Sequence, residues 1–159
     1  MFDNVLIPPS VMASVVASYH ANINHWRQLA DENEDMAAVL PGKPSLNGKP
    51  RLFTALQAAL CALMADFNVA GVKAPLAAKI ARRVMEAHQA RPEVGQWVIV
   101  VTSNGNVSTL DYNKTDFRAG VVSGARLNFA LVVDLRSYSD QVAIAIADAP
   151  RVIGGDNGE

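Results

Sequence analysis

Apolar residues recur at helical spacing in the first part of the chain, as expected where one face of a helix is buried. Residues 8–10, Pro-Pro-Ser, form a helix entry, and apolar positions follow from Val11 to Trp26. The pattern weakens around 17–20, where we expect a turn. An acidic run at 31–35 is expected to be solvated and to end this segment.

The middle of the chain predicts a loop followed by two helices. Residues 40–51 contain three prolines and an Asn-Gly pair, which predict a loop or a short hairpin. Residues 52–69 form a strongly apolar helix pattern that Thr54 is placed to cap. A second helix is expected to start at Pro75 and to end before Pro92.

After residue 95 the apolar period changes from 3.6 to 2 or to continuous runs. Segments 96–102 and 107–112 flank an Asn-Gly turn and predict a β-hairpin. Residues 126–135 predict a further strand, and 137–149 a final helix capped by Ser137 or Ser139.

The element order predicts an α+β fold, with a helical N-terminal lobe followed by a small lobe of hairpin, strand and helix. We place the first lobe at 1–92 and the second at 93–150. Residues 151–159, rich in glycine, are expected to be a disordered tail.

Charge is distributed unevenly although the net charge of the 159 residues is only −1. Residues 36–91 carry eight basic and two acidic residues, whereas 1–35 carry one basic against five acidic. Residues 92–159 carry five basic against eight acidic. A basic part beside acidic parts suits a DNA-binding lobe joined to a regulatory or oligomerising lobe, although chance segregation gives the same pattern.

No stretch approaches the roughly 20 apolar residues that a membrane span needs. The N-terminus has no basic region ahead of an apolar stretch, so we expect a cytoplasmic protein.

The first predicted helices match the steric pattern of a helix-turn-helix. That pattern needs a small residue on the first helix, a small residue at the turn, and two apolar anchors on the second helix. Those places are filled by Ala13, Ala17, Ile23 and Trp26. Met12 and Val16 fill neighbouring core places.

This spacing resembles that of bacterial and phage helix-turn-helix regulators. The chain continues with Gly48-Lys49-Pro50-Arg51-Leu52-Phe53-Thr54, a helix, Ala70-Gly71-Val72 and a second helix. In that order these features resemble a MerR-like winged-helix domain over roughly residues 5–90. The resemblance implies a wing at 41–53 and double-stranded DNA as the ligand.

The roles of the side chains follow from their chemistry. The predicted DNA-contacting residues are Tyr19, His20, Asn22, Asn24, His25, Arg27, Gln28, Lys43, Lys49 and Arg51. Asparagine, glutamine and histidine pair with base edges, whereas the basic residues contact phosphate. The histidines are alternatively ordinary surface residues, and the asparagines caps or turn residues. Lys79, Arg82 and Arg83 are either a solvated helix face or a phosphate clamp.

We expect no enzyme, no cofactor and no metal site. Cys61 lies in an apolar run and is expected to be inert. Asp134 is the best single catalytic candidate, but a cap for Arg136 or the following helix is favoured. The sequence offers no candidate general base for Ser103 or Ser123.

The hypothesis is a dimeric transcription regulator with helix 20–28 in the major groove and loop 41–51 on the backbone. The C-terminal lobe binds a small ligand, a protein partner or a second copy. Because the family's long coiled coil is missing, a homodimer through strand 126–135 or helix 137–149 is preferred. The alternatives are an adaptor or antitoxin-like partner without DNA affinity, and a ligand-binding or enzymatic lobe at 95–150, which a pocket lined by Asp134 and Arg126 would support.

Overall fold

The computed structural model describes residues 2, 5–16, 19–40, 52–102, 104–119, 121–122, 125–126 and 130–149. The helices are α1 Pro9–Val15, α2 Tyr19–Leu29, α3 Glu34–Val39, α4 Ala55–Val69, α5 Ala74–Ala90 and α6 Leu135–Ala147. The strands are β1 Leu6–Ile7, β2 Phe53–Thr54, β3 Gln96–Val101, β4 Val107–Asp111, β5 Val121–Val122, β6 Ala125–Arg126 and β7 Leu131–Asp134. The predicted α+β order, helices first and strands with a final helix afterwards, is confirmed.

Helix α4 is the centre of the helical part, and ten of its fifteen residues are buried. A helix that is apolar on all sides has to be enclosed by other elements, and α1, α3, α5 and α6 all pack against α4. Thr54 caps it as predicted, because its Oγ1 accepts a hydrogen bond from the Gln57 backbone N–H at 3.1 Å. The Gln57 side chain accepts one from the Thr54 N–H at 2.9 Å, which completes a capping box.

The turn between α4 and α5 depends on Gly71. Its φ of +86° lies in the left-handed region that side chains disfavour. Backbone N–H groups of Gly71 and Val72 donate to the carbonyls of Asn68 and Phe67, which ends α4. The predicted split of 52–90 into two helices at this turn is confirmed.

Three antiparallel strands form the main sheet, in the order β4-β3-β7. The β3–β4 hairpin matches its predicted position and turns at Gly105, whose φ is +78°. Trp97 and Ile99 belong to the core that the helices share, whereas Val98 and Val100 are buried outside that core cluster. Strand β1 pairs with β2, and β5 with β6.

The predicted strand 126–135 is matched at Leu131–Asp134, which pair with β3, and at Arg126, which belongs to β6, whereas 127–129 lie outside the described residues. The predicted end was wrong, because α6 already begins at Leu135. The helix is capped by Asp134, whose Oδ1 accepts a hydrogen bond from the Arg136 N–H at 3.0 Å, and not by Ser137 or Ser139. A short polar side chain at the strand end satisfies an unpaired helix N–H, so the helix starts earlier than the apolar pattern indicates.

The acidic run at 31–35 is not simply a solvated end, because helix α3 starts inside it. Asn33 Oδ1 accepts a hydrogen bond from the Met36 N–H at 2.9 Å and caps the helix. Met36 and Val39 are buried against the core. Asp35 lies 3.1 Å from the guanidinium of Arg82 on α5, so this carboxylate holds α3 to α5.

One continuous hydrophobic core joins the parts of the chain that we assigned to two lobes. Ile23 and Trp26 belong to the same buried cluster as Trp97, Val133 and Val142. This core therefore contains residues from both sides of the boundary expected near residue 92.

Removal of the Thr54 cap should destabilise the fold. We expect Thr54→Ala to lower the free energy of unfolding by about 1 kcal/mol, because the backbone N–H of Gln57 in the first turn of α4 loses its hydrogen-bond acceptor. Chemical denaturation of Thr54→Ala, Gln57→Ala and the double variant measures it. Since the two side chains cap reciprocally, the double variant should cost less than the sum of the single changes. Strict additivity would contradict the capping box.

Candidate nucleic-acid interface

Helix α2 is held in place by its apolar side. Ile23 is fully buried and Trp26 is 1% exposed, three positions apart as one helix face requires. Leu29 packs against the same core. The anchor roles predicted for Ile23 and Trp26 match these positions, and the helix bounds differ from the predicted 20–28 by one residue at each end.

The opposite side of α2 carries uncharged hydrogen-bonding groups. Asn24, His25 and Gln28 are exposed, and Asn22 is half-buried. Residues at 24, 25 and 28 are one, three and four positions apart, so their side chains form a contiguous surface. We call Asn24, His25 and Gln28 the α2 patch. Carboxamide and imidazole groups offer donors and acceptors together, which is what base edges in a major groove require.

Several predicted contact residues lie outside the described part of the structure. These are Lys43, Lys49 and Arg51, together with the side chains of Tyr19 and His20. The described chain that follows this segment has a fixed place, because Phe53 pairs with Ile7 and Thr54 with Leu6. The end of the predicted wing therefore lies beside the strand that leads into α1.

The side chain of Arg27, on α2, contacts Phe53 at the end of the predicted wing. Its guanidinium carbon is 5.8 Å from the centre of the Phe53 ring, and the side chain is half-buried. The Nε atom is buried and makes no hydrogen bond within the described residues. Arg27 thus joins α2 to β2 as well as carrying a charge.

Ala13 does not fill the position that the helix-turn-helix pattern gives it. It is exposed, whereas Met12, Val15 and Val16 are buried. Helix α1 has only seven residues, and it packs against α4 and α6 as well as α2. Its buried side is therefore set by three neighbours, and the expectation of a small residue at an α1–α2 contact was wrong for Ala13. Ala17 lies outside the described residues.

The basic residues of α5 are engaged within the protein. Lys79 donates from Nζ to the Gly105 carbonyl at 2.7 Å, which ties α5 to the β3–β4 turn. Arg82 donates hydrogen bonds to Asp35 at 3.1 Å and to Glu86 at 2.9 Å, and these bonds, the one to Glu86 first, raise the pKa of Arg82. Arg83 also pairs with Glu86, at 2.9 Å. Lys79 and Arg82 therefore connect α5 to other parts of the protein. Neither of the two roles expected from the sequence, a solvated helix face or a phosphate clamp, describes these contacts.

Reactive groups elsewhere have structural surroundings. Burial raises the pKa of the Cys61 thiol to about 12, against the lowering effect of the Arg27 charge, so the thiol is protonated at neutral pH. Asp134 serves as the α6 cap. His88 is buried beside Phe2, and burial lowers its pKa against the raising effect of a hydrogen bond with the Val94 backbone. No cluster of metal-binding side chains occurs among the residues described. Ser103 and Ser123 fall outside them.

Sequence analysis missed the pairing of Asp66 with Tyr138. The phenol donates to Asp66 Oδ2 at 2.6 Å across 72 positions of sequence. Burial raises the pKa of Tyr138, and the Asp66 carboxylate raises it further, so the phenol stays a donor at neutral pH. No local pattern signals a contact between residues so far apart in the chain.

Within the described residues, no helix is both long and apolar enough to cross a membrane. No protein-family model matches the chain, and searches of curated proteins and of solved structures find no match either. Function therefore has to be inferred from the geometry and chemistry described above.

The Arg82–Glu86 contact predicts a pH-dependent contribution to stability. Burial raises the pKa of Glu86, but hydrogen bonds from Arg82 and Arg83 outweigh it and lower the pKa overall. Unfolded Glu86 therefore binds its proton at higher pH than folded Glu86. The contribution is present above the usual glutamate pKa and is lost as pH falls through the lowered one.

Comparison of wild type with Glu86→Gln by urea unfolding measures this contribution. Because the side chain is 39% exposed, we expect a loss of no more than about 1 kcal/mol at pH 7 and a smaller loss at pH 3. Glu32→Gln, an exposed change of the same charge, is the control. A loss that is equal at both pH values would contradict the ionic origin.

Proposed function

We propose that this protein is a sequence-specific binder of double-stranded DNA, a transcription regulator without catalytic activity that acts as a homodimer. Helix α2 enters the major groove, and the segment 41–51 contacts the phosphate backbone as a wing. The observation that carries the proposal is the α2 patch. It is an uncharged surface with both donors and acceptors, on the second helix of a closely spaced pair.

Two features of the fold support this assignment. Three residues, 16–18, separate α1 from Tyr19, the first residue of α2, and Val16 is the one of them that the structure describes. The β1–β2 pair places Phe53, the last residue of the predicted wing, beside Ile7, two residues before α1. Both features support the proposed order of helix, turn, helix and wing.

The charge of the α2 region sets how such a protein would bind. Lys79 and Arg82 are occupied within the protein, so phosphate contacts fall to Arg27, Lys43, Lys49 and Arg51. A few contacts per subunit give modest affinity, and two linked half-sites multiply it. A homodimer is therefore part of the proposal.

Helix α6 offers the surface for that dimer. Ile144 is 61% exposed, and Ala143 and Ala147 are exposed beside it at helical spacing. An exposed apolar strip on a helix pairs readily with its own copy around a two-fold axis. The competing surface, β7, exposes Val132 to a similar extent, 54%.

One observation favours an adaptor or antitoxin-like protein instead. Asp31, Glu32 and Glu34 are exposed just beyond the C-terminal end of α2. Carboxylates beside the helix would repel phosphate and would suit a basic protein partner. The DNA experiment below separates the two functions.

Binding to fragments of mixed genomic DNA across a salt series, with sequencing of what is retained, tests the proposal. We expect enrichment of a short two-fold-symmetric site and a steep fall of affinity with salt. The double variant Asn24→Ala, Gln28→Ala should weaken the enriched site by about ten- to a hundredfold. Its salt slope should be unchanged, because neither side chain is charged.

Gln89→Ala on α5 is the matched control, because Gln89 is equally an exposed helical glutamine. It should leave both the enrichment and the salt slope unchanged. If wild type retains no fragment even at low salt, the DNA proposal fails and the adaptor function is favoured. An equal loss in Gln89→Ala would mean that the α2 patch is not the reading surface.

The dimer surface has its own test. Ile144→Asp should convert a dimer into a monomer in analytical ultracentrifugation, because a charge is placed at the centre of the apolar strip. Val132→Asp is the matched control on β7 and should remain dimeric. Dissociation by Val132→Asp alone would move the two-fold axis to the strand.

A further inference from the structure

A groove of about 560 Å³ lies between the C-terminal half of α4, the strand β7 and the start of α6. It is separate from the α2 patch, because no residue of α2 lines it. Clefts of this size hold small organic ligands in other proteins.

The groove has an apolar floor and polar groups at its rim. The apolar side chains that line it are Leu63, Phe67, Val72, Leu131, Val132 and Val133. Two carboxylates, Asp66 and Asp134, lie among the polar lining residues, and none of the described lining residues is basic. Neither carboxylate forms an ion pair with any residue that the structure describes.

Both carboxylates are held in fixed positions by neutral donors. Asp66 accepts the hydrogen bond from Tyr138, and Asp134 accepts bonds from the Gln96 side chain at 2.8 Å and the Arg136 N–H at 3.0 Å. Neutral donors orient a carboxylate without cancelling its charge. The groove therefore presents a negative potential above an apolar surface.

We propose that this groove binds a small apolar molecule that carries a single positive charge, such as an alkylammonium compound. The apolar part displaces water from the floor, which is the main source of affinity. The cation lies near Asp66 and Asp134, whereas an anion of the same shape is repelled by both carboxylates.

A hydrogen bond links this groove to the end of α1. Gln141 lines the groove and donates from Nε2 to the carbonyl of Val15 at 3.2 Å. Val15 is the last residue of α1, so the groove adjoins the C-terminal end of that helix. The proposal that the groove binds a ligand does not depend on the proposed function. Any change that the ligand causes in DNA binding would rest on that function.

Isothermal titration calorimetry of the full chain at pH 7 tests the site with three matched probes: n-hexylammonium, n-hexanol and n-hexanoate. We expect saturable binding of hexylammonium at one site per chain. Hexanol should bind more weakly, and hexanoate at least about tenfold more weakly than hexylammonium. Calorimetry reports binding directly, so failure here is distinct from a failure of the DNA proposal.

Variants locate the binding in the groove. Ala70 lines the groove and is exposed, so Ala70→Phe should fill the space and abolish hexylammonium binding without unfolding the chain. Asp66→Asn should weaken binding about two- to fivefold, the effect of one exposed charge. Asp116→Asn, which removes the same charge away from the groove, should bind like wild type.

Three results would overturn the site. These are no saturable binding of hexylammonium, equal affinity for hexanoate and hexylammonium, or wild-type affinity in a folded Ala70→Phe variant. Thermal unfolding of each variant shows that it is folded.

Discussion

The burial of helix α4 on nearly all of its sides is the constraint from which the rest of the architecture follows. Four consecutive residues from Leu60 to Leu63 are all buried, and because successive helix positions are about 100° apart, this part of α4 has no side that tolerates water. It must be enclosed, and helices from both ends of the chain enclose it. The N-terminal helices and α6 therefore share one core, although they are more than a hundred residues apart in sequence.

This shared core explains what the sequence predicted well and what it did not. Helices α4 and α5 and the β3–β4 hairpin have long runs of regularly spaced apolar residues, and they are bounded by the Thr54 cap, Pro75 and two glycine turns, so local patterns determine them. Helix α3 has six residues and is held by Asp35 against Arg82, a contact between residues 47 positions apart. The start of α6 was mispredicted because the Asp134 cap begins the helix inside the apolar run. The burial of Ala13 was mispredicted because α1 packs on three helices, which together decide which side of α1 is buried.

The candidate interface was predictable to a similar degree. The positions of Ile23 and Trp26 follow from spacing, and the same spacing places Asn24 and Gln28 on the outside. Spacing along one helix gives no information on distant partners. Arg27 against Phe53 and Tyr138 against Asp66 are therefore visible only in the folded chain.

The middle segment, residues 36–91, carries more basic than acidic residues, but part of this positive charge is engaged within the protein. Lys79 is bonded to a carbonyl and Arg82 to two carboxylates, so part of the charge stabilises the packing of α5. In the proposed DNA complex, Lys79 and Arg82 are therefore not counted among the phosphate contacts, which the proposal assigns to Arg27 and to Lys43, Lys49 and Arg51. Under that proposal, selectivity comes from base-edge hydrogen bonds of the α2 patch and from two copies acting together.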